Sequence, residues 1–454
     1  MGADRGSTKR RSILMLPWLA HGHISPFFEL AKRLTDHYSF HIYLCSTPVN
    51  LDHLRNTLPP FIQLVDLHLP SSFDKTLPPN SHTTKNLPPH LMPTLKSAFD
   101  QSEPAFSQIL NSLRPDLLIY DFLMPWAPRA AARELGIKSV VFITGGAACH
   151  SFVTHYIAHP PETQFPFPNL DIVSSGEGQK TVEFLESGDD QGRLSNKDRY
   201  FQCLKSSSEI VLIKTFREIE GKYADYFSKL LGKEVVTVGG LVREPEAKTG
   251  DSDIINWLDQ RDHSSPPVVF VSFGSEYFLS MEEMVEVAKG LERNKDLNFI
   301  WVVRFPEGAE QEKNLLLPEG FMERVEGRGL VVEGWAPQAK ILQHERVAGF
   351  VSHCGWSSVL EGIVYGVPIV AMPMQLDQPW DAKLVEEIGV GKEVRRRKSD
   401  GGIDGEEMGK VIDEVLRNEE MKGRVRELSE KLQGKGDAEL VAAADRLWSL
   451  IEGV

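Results

Sequence analysis

The 454-residue chain is short of several things, and each shortage closes a route. It has only four cysteines, Cys45, Cys149, Cys203 and Cys354, with no Cys-x-x-Cys pair. Neither a disulfide framework nor a thiolate metal site is indicated, and reduced thiols in a cytoplasmic protein are expected. Positive charge is not in excess: 50 Lys and Arg against 64 Asp and Glu leave a net charge of −14. Nucleic acid and anionic membrane are thereby disfavoured as partners, because both need a cationic footprint. No apolar run approaches the ~20 residues of a membrane span, so no stable membrane insertion is expected. The basic start Lys9-Arg10-Arg11 before ILMLPWLA looks superficially like a secretion signal, but Pro17 interrupts the apolar stretch and no small-residue cleavage site follows. No Gly-x-Gly-x-x-Gly follows any apolar run, which disfavours a nicotinamide-dependent dehydrogenase.

What is present is a long series of β-rich runs separated by helical patterns. ILML, FHIYLCST, DLLIYDF, SVVFIT, EIVLIKT and VVTVGG occupy the first half, and PVVFVSFG, FIWVVR, LVVEGW, AGFVSHCG and PIVAMPM the second. Continuous apolar strands alternating with helices indicate parallel sheets covered on both faces. At this length two cores are expected, since one core stops growing near roughly 250 to 300 residues. The spacing therefore predicts an α/β protein of two doubly wound, Rossmann-like domains facing a cleft: 1–243, a polar linker at 244–252, and 253–435. The amphipathic pattern ELVAAADRLWSLI makes 436–454 a C-terminal helix, open to packing back on the first domain. The segments at about 67–95, rich in proline, and 160–200, rich in Gly, Ser and Asp, read as loops beside the cleft.

The stretch WLAHGHISPFF, residues 18–28, places two histidines, His21 and His23, between a buried strand and a helix. Ser25-Pro26 predicts the helix start, as N-cap and first helical residue. In open α/β sheets a junction of this kind, at the carboxyl end of a strand, is where ligands bind.

From Trp335 to Gln378 the chain reads WAPQAKILQHERVAGFVSHCGWSSVLEGIVYGVPIVAMPMQLDQ. This segment resembles the plant secondary product glycosyltransferase signature in its length, both its ends and its HCGW core. VSFGS at 271–275, Gly22-His23 and IYDF around Asp121 extend the resemblance over essentially the whole chain. The chain is thus similar to plant UDP-dependent glycosyltransferases, and the fold implied is GT-B.

The residues supply physical reasons for parts of that likeness. Trp335 offers an aromatic face for a base, and the Ala336 backbone and Gln338 amide could read a uracil edge. His353, Gly355, Trp356, Ser357 and Ser358 lead from a strand into a helix whose first amides form an anion site fit for a diphosphate. Ser275 adds a donor from a neighbouring loop. Ser358-x-x-Glu361 is a capping box by spacing alone, whereas the resemblance implies that Glu361 accepts bonds from the ribose hydroxyls. It also assigns Asp377 and Gln378 to the transferred sugar, with Trp356 nearby, and implies glucose from the final Gln. Thr144 matches a threonine near the donor sugar.

For catalysis the resemblance implies His23 as the base and Asp121 as its partner. A helix N-terminus disfavours imidazolium and keeps a neutral ring able to accept a proton. Direct displacement then inverts the anomeric carbon, with no metal and no cofactor beyond the UDP-sugar co-substrate. Asp251-Ser252-Asp253 has the Asp-x-Asp form of metal sites in another glycosyltransferase fold, but capping of the following helix accounts for it better.

The N-terminal half resembles the branch that extends a sugar already present on a small-molecule glycoside such as a flavonoid, terpenoid or saponin. Trp18, His21, Phe122, Met124, Pro125 and Trp126 are candidates for the acceptor wall, with a core role open for each. Ser357 and Asp381 depart from the usual Asn at those positions, leaving UDP-xylose, UDP-rhamnose and UDP-glucuronate as donors beside UDP-glucose. A monomer is expected. The alternatives are an enzyme acting on an aglycone hydroxyl and a catalytically silent UDP-sugar-binding protein.

Overall fold

A computed structural model describes residues 10–453 apart from 39, 57, 86, 161, 171, 173–175, 189–193, 244–251, 263 and 305–316. The expected linker at 244–252, and Asp251 of the Asp-x-Asp, thus lie almost wholly outside the described residues.

Two compact units are present. The first comprises 1–165, 173–241 and 434–454, the second 166–172 and 242–433. The first differs from the expected 1–243 because the short turn Pro168–Leu170 packs on the helix Gln378–Glu387 of the second unit.

Seven strands build the first unit: β1 (Arg11–Leu16), β2 (Phe40–Ser46), β3 (Ile62–Asp66), β4 (Leu117–Asp121), β5 (Ser139–Ile143), β6 (Ile210–Ile213) and β7 (Glu234–Thr237). They form one parallel sheet in the order β3-β2-β1-β4-β5-β6-β7. The second unit repeats the plan with β8 (Val268–Ser272), β9 (Asn298–Val303), β10 (Gly329–Glu333), β11 (Val347–Ser352), β12 (Ile369–Ala371) and β13 (Gly391–Glu393), ordered β10-β9-β8-β11-β12-β13. Both orders are the doubly wound Rossmann arrangement, in which the winding reverses beside the first strand.

Each strand alternates its side chains between two cores. Val269 and Val271 of β8 join Phe299 and Trp301 on one face, while Val268 and Phe270 join Ile300 and Val302 on the other. Parallel strands hydrophobic on both faces need helices on both, which is why the runs were continuous rather than alternating. The edge strands β3 and β13 differ: their short, half-polar sequences IQLVD and GKE carry little apolar pattern.

The helix Lys435–Glu452 belongs to the first unit. Its Leu440, Ala443, Ala444, Leu447 and Leu450 are buried in that unit's core. Glu439 accepts from the Arg217 amide at 2.8 Å, and Arg446 pairs with Glu234. The chain re-enters at Gly436, beside Gly239, where a Cβ would lie 2.7 Å from the Gly436 Cα. Only a residue without a side chain permits that crossing.

Two expectations change. The segment at 160–200, read as loop, contains helices Gly176–Glu186 and Asn196–Ser206, whose polar sequences hide their periodicity. The first long helix begins at His21 rather than at Ser25-Pro26. Ala20 is its N-cap in extended conformation, and the amides of His23 and Ile24 both bond to the Ala20 carbonyl, at 3.0 and 2.9 Å. That turn closes before the proline is reached. Pro26 then sits in the second turn, lacking the N–H that would bond back to the exposed Gly22. Both histidines therefore lie in the first turn of the helix.

Candidate active site

In each sheet the first strand and the strand after the reversal lie side by side, and their carboxyl ends bracket the crevice where such folds bind ligands. β1 and β4 do this in the first unit. Leu16 pairs with Tyr120, so Asp121 stands one residue beyond, level with the turn into the helix His21–His37. His23 Nδ1 lies 2.7 Å from Asp121 Oδ2, with the carboxylate fully buried and the His23 side chain 21% exposed. Oδ2 also accepts from the Trp18 amide at 3.2 Å, while Oδ1 has no hydrogen-bond partner among the described residues. A carboxylate facing Nδ1 holds the proton there, which leaves the lone pair on Nε2. The Thr144 hydroxyl lies 3.3 Å from the same Nδ1.

The ring of Phe122 stands 5.6 Å from His23 and 5.1 Å from His150. His150 Nδ1 is 2.9 Å from the Tyr200 hydroxyl, and burial pushes the His150 pKa down to about 3, so this second histidine is uncharged. The other expected wall residues divide. His21 is exposed and Phe122 half-buried. Trp18, Met124 and Trp126 are interior, with Trp126 edge-on to Phe99 and Phe106 and its indole N–H donated to Asp100 at 3.0 Å. Pro125 is buried with them.

Glu220, which the sequence did not single out, is fully buried and accepts from the amides of Ala147 and Ala148 at 2.9 and 2.7 Å. It thereby caps the helix Ala147–Ala158 that follows Thr144 and carries His150. Burial pushes its pKa up to about 7.

The second unit shows the same construction at β8 and β11, where Ser272 pairs with Ser352. Cys354 adopts a left-handed conformation (φ 63°) and Gly355 caps the helix Trp356–Val364. The His353 ring is wedged between two glycines: a Cβ on Gly274 (φ 78°) or on Gly355 would lie 2.5 Å from its Nε2. Burial pulls the His353 pKa down to about 4, and Nδ1 has no hydrogen-bond partner among the described residues. Ser275 follows Gly274, half-buried, in the neighbouring loop.

Ser358 is not the N-cap that its spacing with Glu361 suggested. It is the third residue of the helix, its amide bonding to Gly355, and Glu361 instead accepts from Gln338 Nε2 at 2.7 Å. The same nitrogen reaches the Ser358 hydroxyl at 3.1 Å. Gln338 thus ties the turn after β10, with Trp335 60% exposed and Ala336 half-buried, to the helix after β11. Trp356 is buried and Ser357 half-buried. Gln378 Oε1 accepts from the Met374 and Gln375 amides, both at 2.9 Å, closing the loop that presents Asp377 and leaving its Nε2 as donor. Asp381 is fully buried one turn further on. The described Asp253 lies in the first turn of the helix Ser252–Asp259. Among the described residues no group of three or more His, Cys, Asp or Glu is arranged to hold a metal, and no helix is long and apolar enough to cross a membrane.

Comparison with known proteins agrees with this construction. Residues 10–243 match the family described as glycosyltransferase, N-terminal domain, and residues 206–435 that described as UDP-glucoronosyl and UDP-glucosyl transferase. Mogroside IIIx synthase of Siraitia grosvenorii is 48% identical over 453 residues, covering 96% of this chain and 92% of that protein. Flavanone 7-O-glucoside 2''-O-beta-L-rhamnosyltransferase of Citrus maxima is 44% identical over 458 residues, 99% of each. The structure of Phytolacca americana UGT2 with UDP-2fluoro-glucose and pterostilbene superposes with a TM-score of 0.74 at 26% identity, covering 97% of this chain and all of that one. With its two Rossmann-like units, its reversal-point residues and these relatives, the chain belongs to the UDP-glycosyltransferase family and has the GT-B fold.

Proposed function

We propose that this glycosyltransferase moves a hexose, glucose foremost, from a UDP-sugar to a hydroxyl of a plant small-molecule glycoside, extending its sugar chain with inversion and without a metal. The observation that carries the reading is the bond of His23 Nδ1 to the buried Asp121, which aims the proton-accepting Nε2 away from the carboxylate. The acceptor hydroxyl gives its proton to Nε2 while its oxygen bonds to the anomeric carbon, and the bond from that carbon to the phosphate oxygen breaks. UDP departs with the electron pair. The imidazolium so formed is stabilised by Asp121, in the division of roles known for His-Asp pairs.

On the donor side, Trp335 and Ala336 suit the uracil, Glu361 the ribose, and His353, Ser275, Ser357, Ser358 and the helix N-terminus at Gly355 the diphosphate. Asp377 and Gln378 suit the sugar, with Trp356 beside them in the same unit, and the resemblance adds Thr144 of the first unit as a further donor-sugar residue. The glycoside acceptor is supported by the Citrus maxima relative, whose name specifies a flavanone 7-O-glucoside. Phe122 and His21 are the wall residues that reach the surface, whereas Trp18, Met124, Pro125 and Trp126 are interior. We read the protein as a cytoplasmic monomer without a resident cofactor.

The test is UDP release and product mass with UDP-sugars against paired glycosides and aglycones. Glycosides are the expected substrates. Transfer to aglycones alone would displace the chain-extending reading, and UDP binding without any transfer would make the protein a silent binder. His23→Ala is expected to leave UDP affinity within about twofold and to lower kcat by ~10²–10⁴.

A further inference from the structure

A departing UDP places negative charge on a protein that already carries −14. The charge to meet it has to be local. His353 does not supply it, because burial holds its pKa near 4 and leaves the ring neutral. The helix Trp356–Val364 supplies only the partial charge of its N-terminus.

Beside His353 lies a shallow, solvent-open depression lined by Gly274, Tyr277, Val303 and Arg304 among others. Gly274 is common to both places, since it is the residue against whose backbone the His353 ring packs. The strand register explains the adjacency. Ser272 of β8 pairs with Val302 of β9, so Arg304 leaves β9 level with Gly274, at the carboxyl end where ligands bind.

The Arg304 guanidinium is half-buried and makes no ion pair within 4 Å among the described residues. Burial presses on its charge, and Glu276 favours it from a greater distance. Arginine keeps its proton under such pressure. The other cation near this depression, Arg396, donates to the Pro373 carbonyl and to the Met374 sulfur, and the Tyr277 hydroxyl donates to Glu283 at 2.8 Å. Among the described residues of this wall, Arg304 is therefore the cation for which no hydrogen bond or ion pair to another side chain is found.

We propose that Arg304 is a further donor-binding residue, the cation that takes the diphosphate of the UDP-sugar beside His353. The proposal rests on the donor reading above and adds to it a charge that none of the expected donor residues provides.

The test is calorimetric titration of the full chain with uridine and with UDP, for wild type, Arg304→Gln and Arg304→Lys. Arg304→Gln is expected to weaken UDP about tenfold or more while uridine binds as in wild type, because a charge-assisted bond to the diphosphate is lost and the nucleoside contacts are not. Arg304→Lys, which keeps the charge without the planar fork, is expected to recover part of the loss. UDP affinity within twofold of wild type in an Arg304→Gln protein that binds uridine normally would overturn the proposal. If Arg304→Gln also loses uridine through misfolding, Arg304→Lys decides: normal uridine with UDP recovered supports the proposal, and normal uridine with UDP still weak overturns it. A wild-type chain that binds neither ligand would remove the donor reading itself.

Discussion

Replacing Asp121 by Asn separates the two things that a carboxylate can do for a histidine base, orienting it and stabilising its charge. Oδ2 accepts from both the Trp18 amide, at 3.2 Å, and His23 Nδ1, at 2.7 Å. An Asn side chain can meet the Trp18 N–H only with its oxygen, so that oxygen takes the place of Oδ2 and the His23 proton stays on Nδ1. Orientation and tautomer survive, and only the charge is lost. For charge centres about 4 Å apart, an effective dielectric of about 20 gives an attraction of roughly 4 kcal/mol between imidazolium and carboxylate. The neutral hydrogen bond that remains retains about 1 kcal/mol. The difference, roughly 3 kcal/mol, is present in the transition state and absent while the ring is neutral, so kcat should fall by about a hundredfold. Initial rates of UDP release at saturating donor and acceptor, with UDP affinity measured separately, give the comparison. A loss below tenfold would refute the stabilising role of Asp121. A loss of about a thousandfold or more would refute the tautomer argument, since it would mean that the ring had turned or its proton had moved to Nε2.

Three further outcomes are expected. Gly274→Ala places a methyl 2.5 Å from His353 Nε2 at φ 78°, so UDP affinity should drop about tenfold or more as the ring is displaced; unchanged binding would mean that His353 does not touch the donor. Glu220, raised to about 7 by burial, binds a proton in the folded chain that the unfolded chain has released between about pH 4.5 and 7. Stability from this group is therefore lost as pH rises through that window and is constant above it, by roughly 3 kcal/mol in all. In Glu220→Gln this component vanishes, so the wild-type advantage in Tm should shrink between pH 5 and 8; a gap independent of pH would contradict it. Activity should persist in EDTA, and full loss with recovery on added manganese would refute metal-free transfer.

Much of this was legible in the chain, unevenly and for identifiable reasons. The central strands announced themselves because burial on two faces leaves them apolar throughout, and the resemblance named His23 and Asp121, which the structure bonds to each other at strand and helix ends. The edge strands β3 and β13 did not, because an edge need not be apolar. Ser25-Pro26 has the form of a helix start and misled, because an extended Ala20 had already begun the helix. Ser358 and Glu361 fit a capping box until Gln338, 23 residues away from the glutamate, claimed its carboxylate. Glu220 and Arg304 were out of reach for the same kind of reason. A carboxylate in KTFREIE or an arginine after WVV looks like a surface charge until the fold sets the first against two helix amides and the second in the wall of a depression.

The return of the helix Lys435–Glu452 to the first sheet has a consequence for biosynthesis. About 200 residues separate the end of β7 from that helix, so at ~5–20 residues per second the ribosome takes roughly ten to forty seconds to deliver it. Through that interval the nascent first unit lacks five of its buried side chains, and Phe40, which lies 5.7 Å from Trp448 in the finished protein, has no such cover. Chaperone occupancy on chains stalled or nicked before this helix should concentrate on this sheet, although the break lies about 200 residues further along the chain.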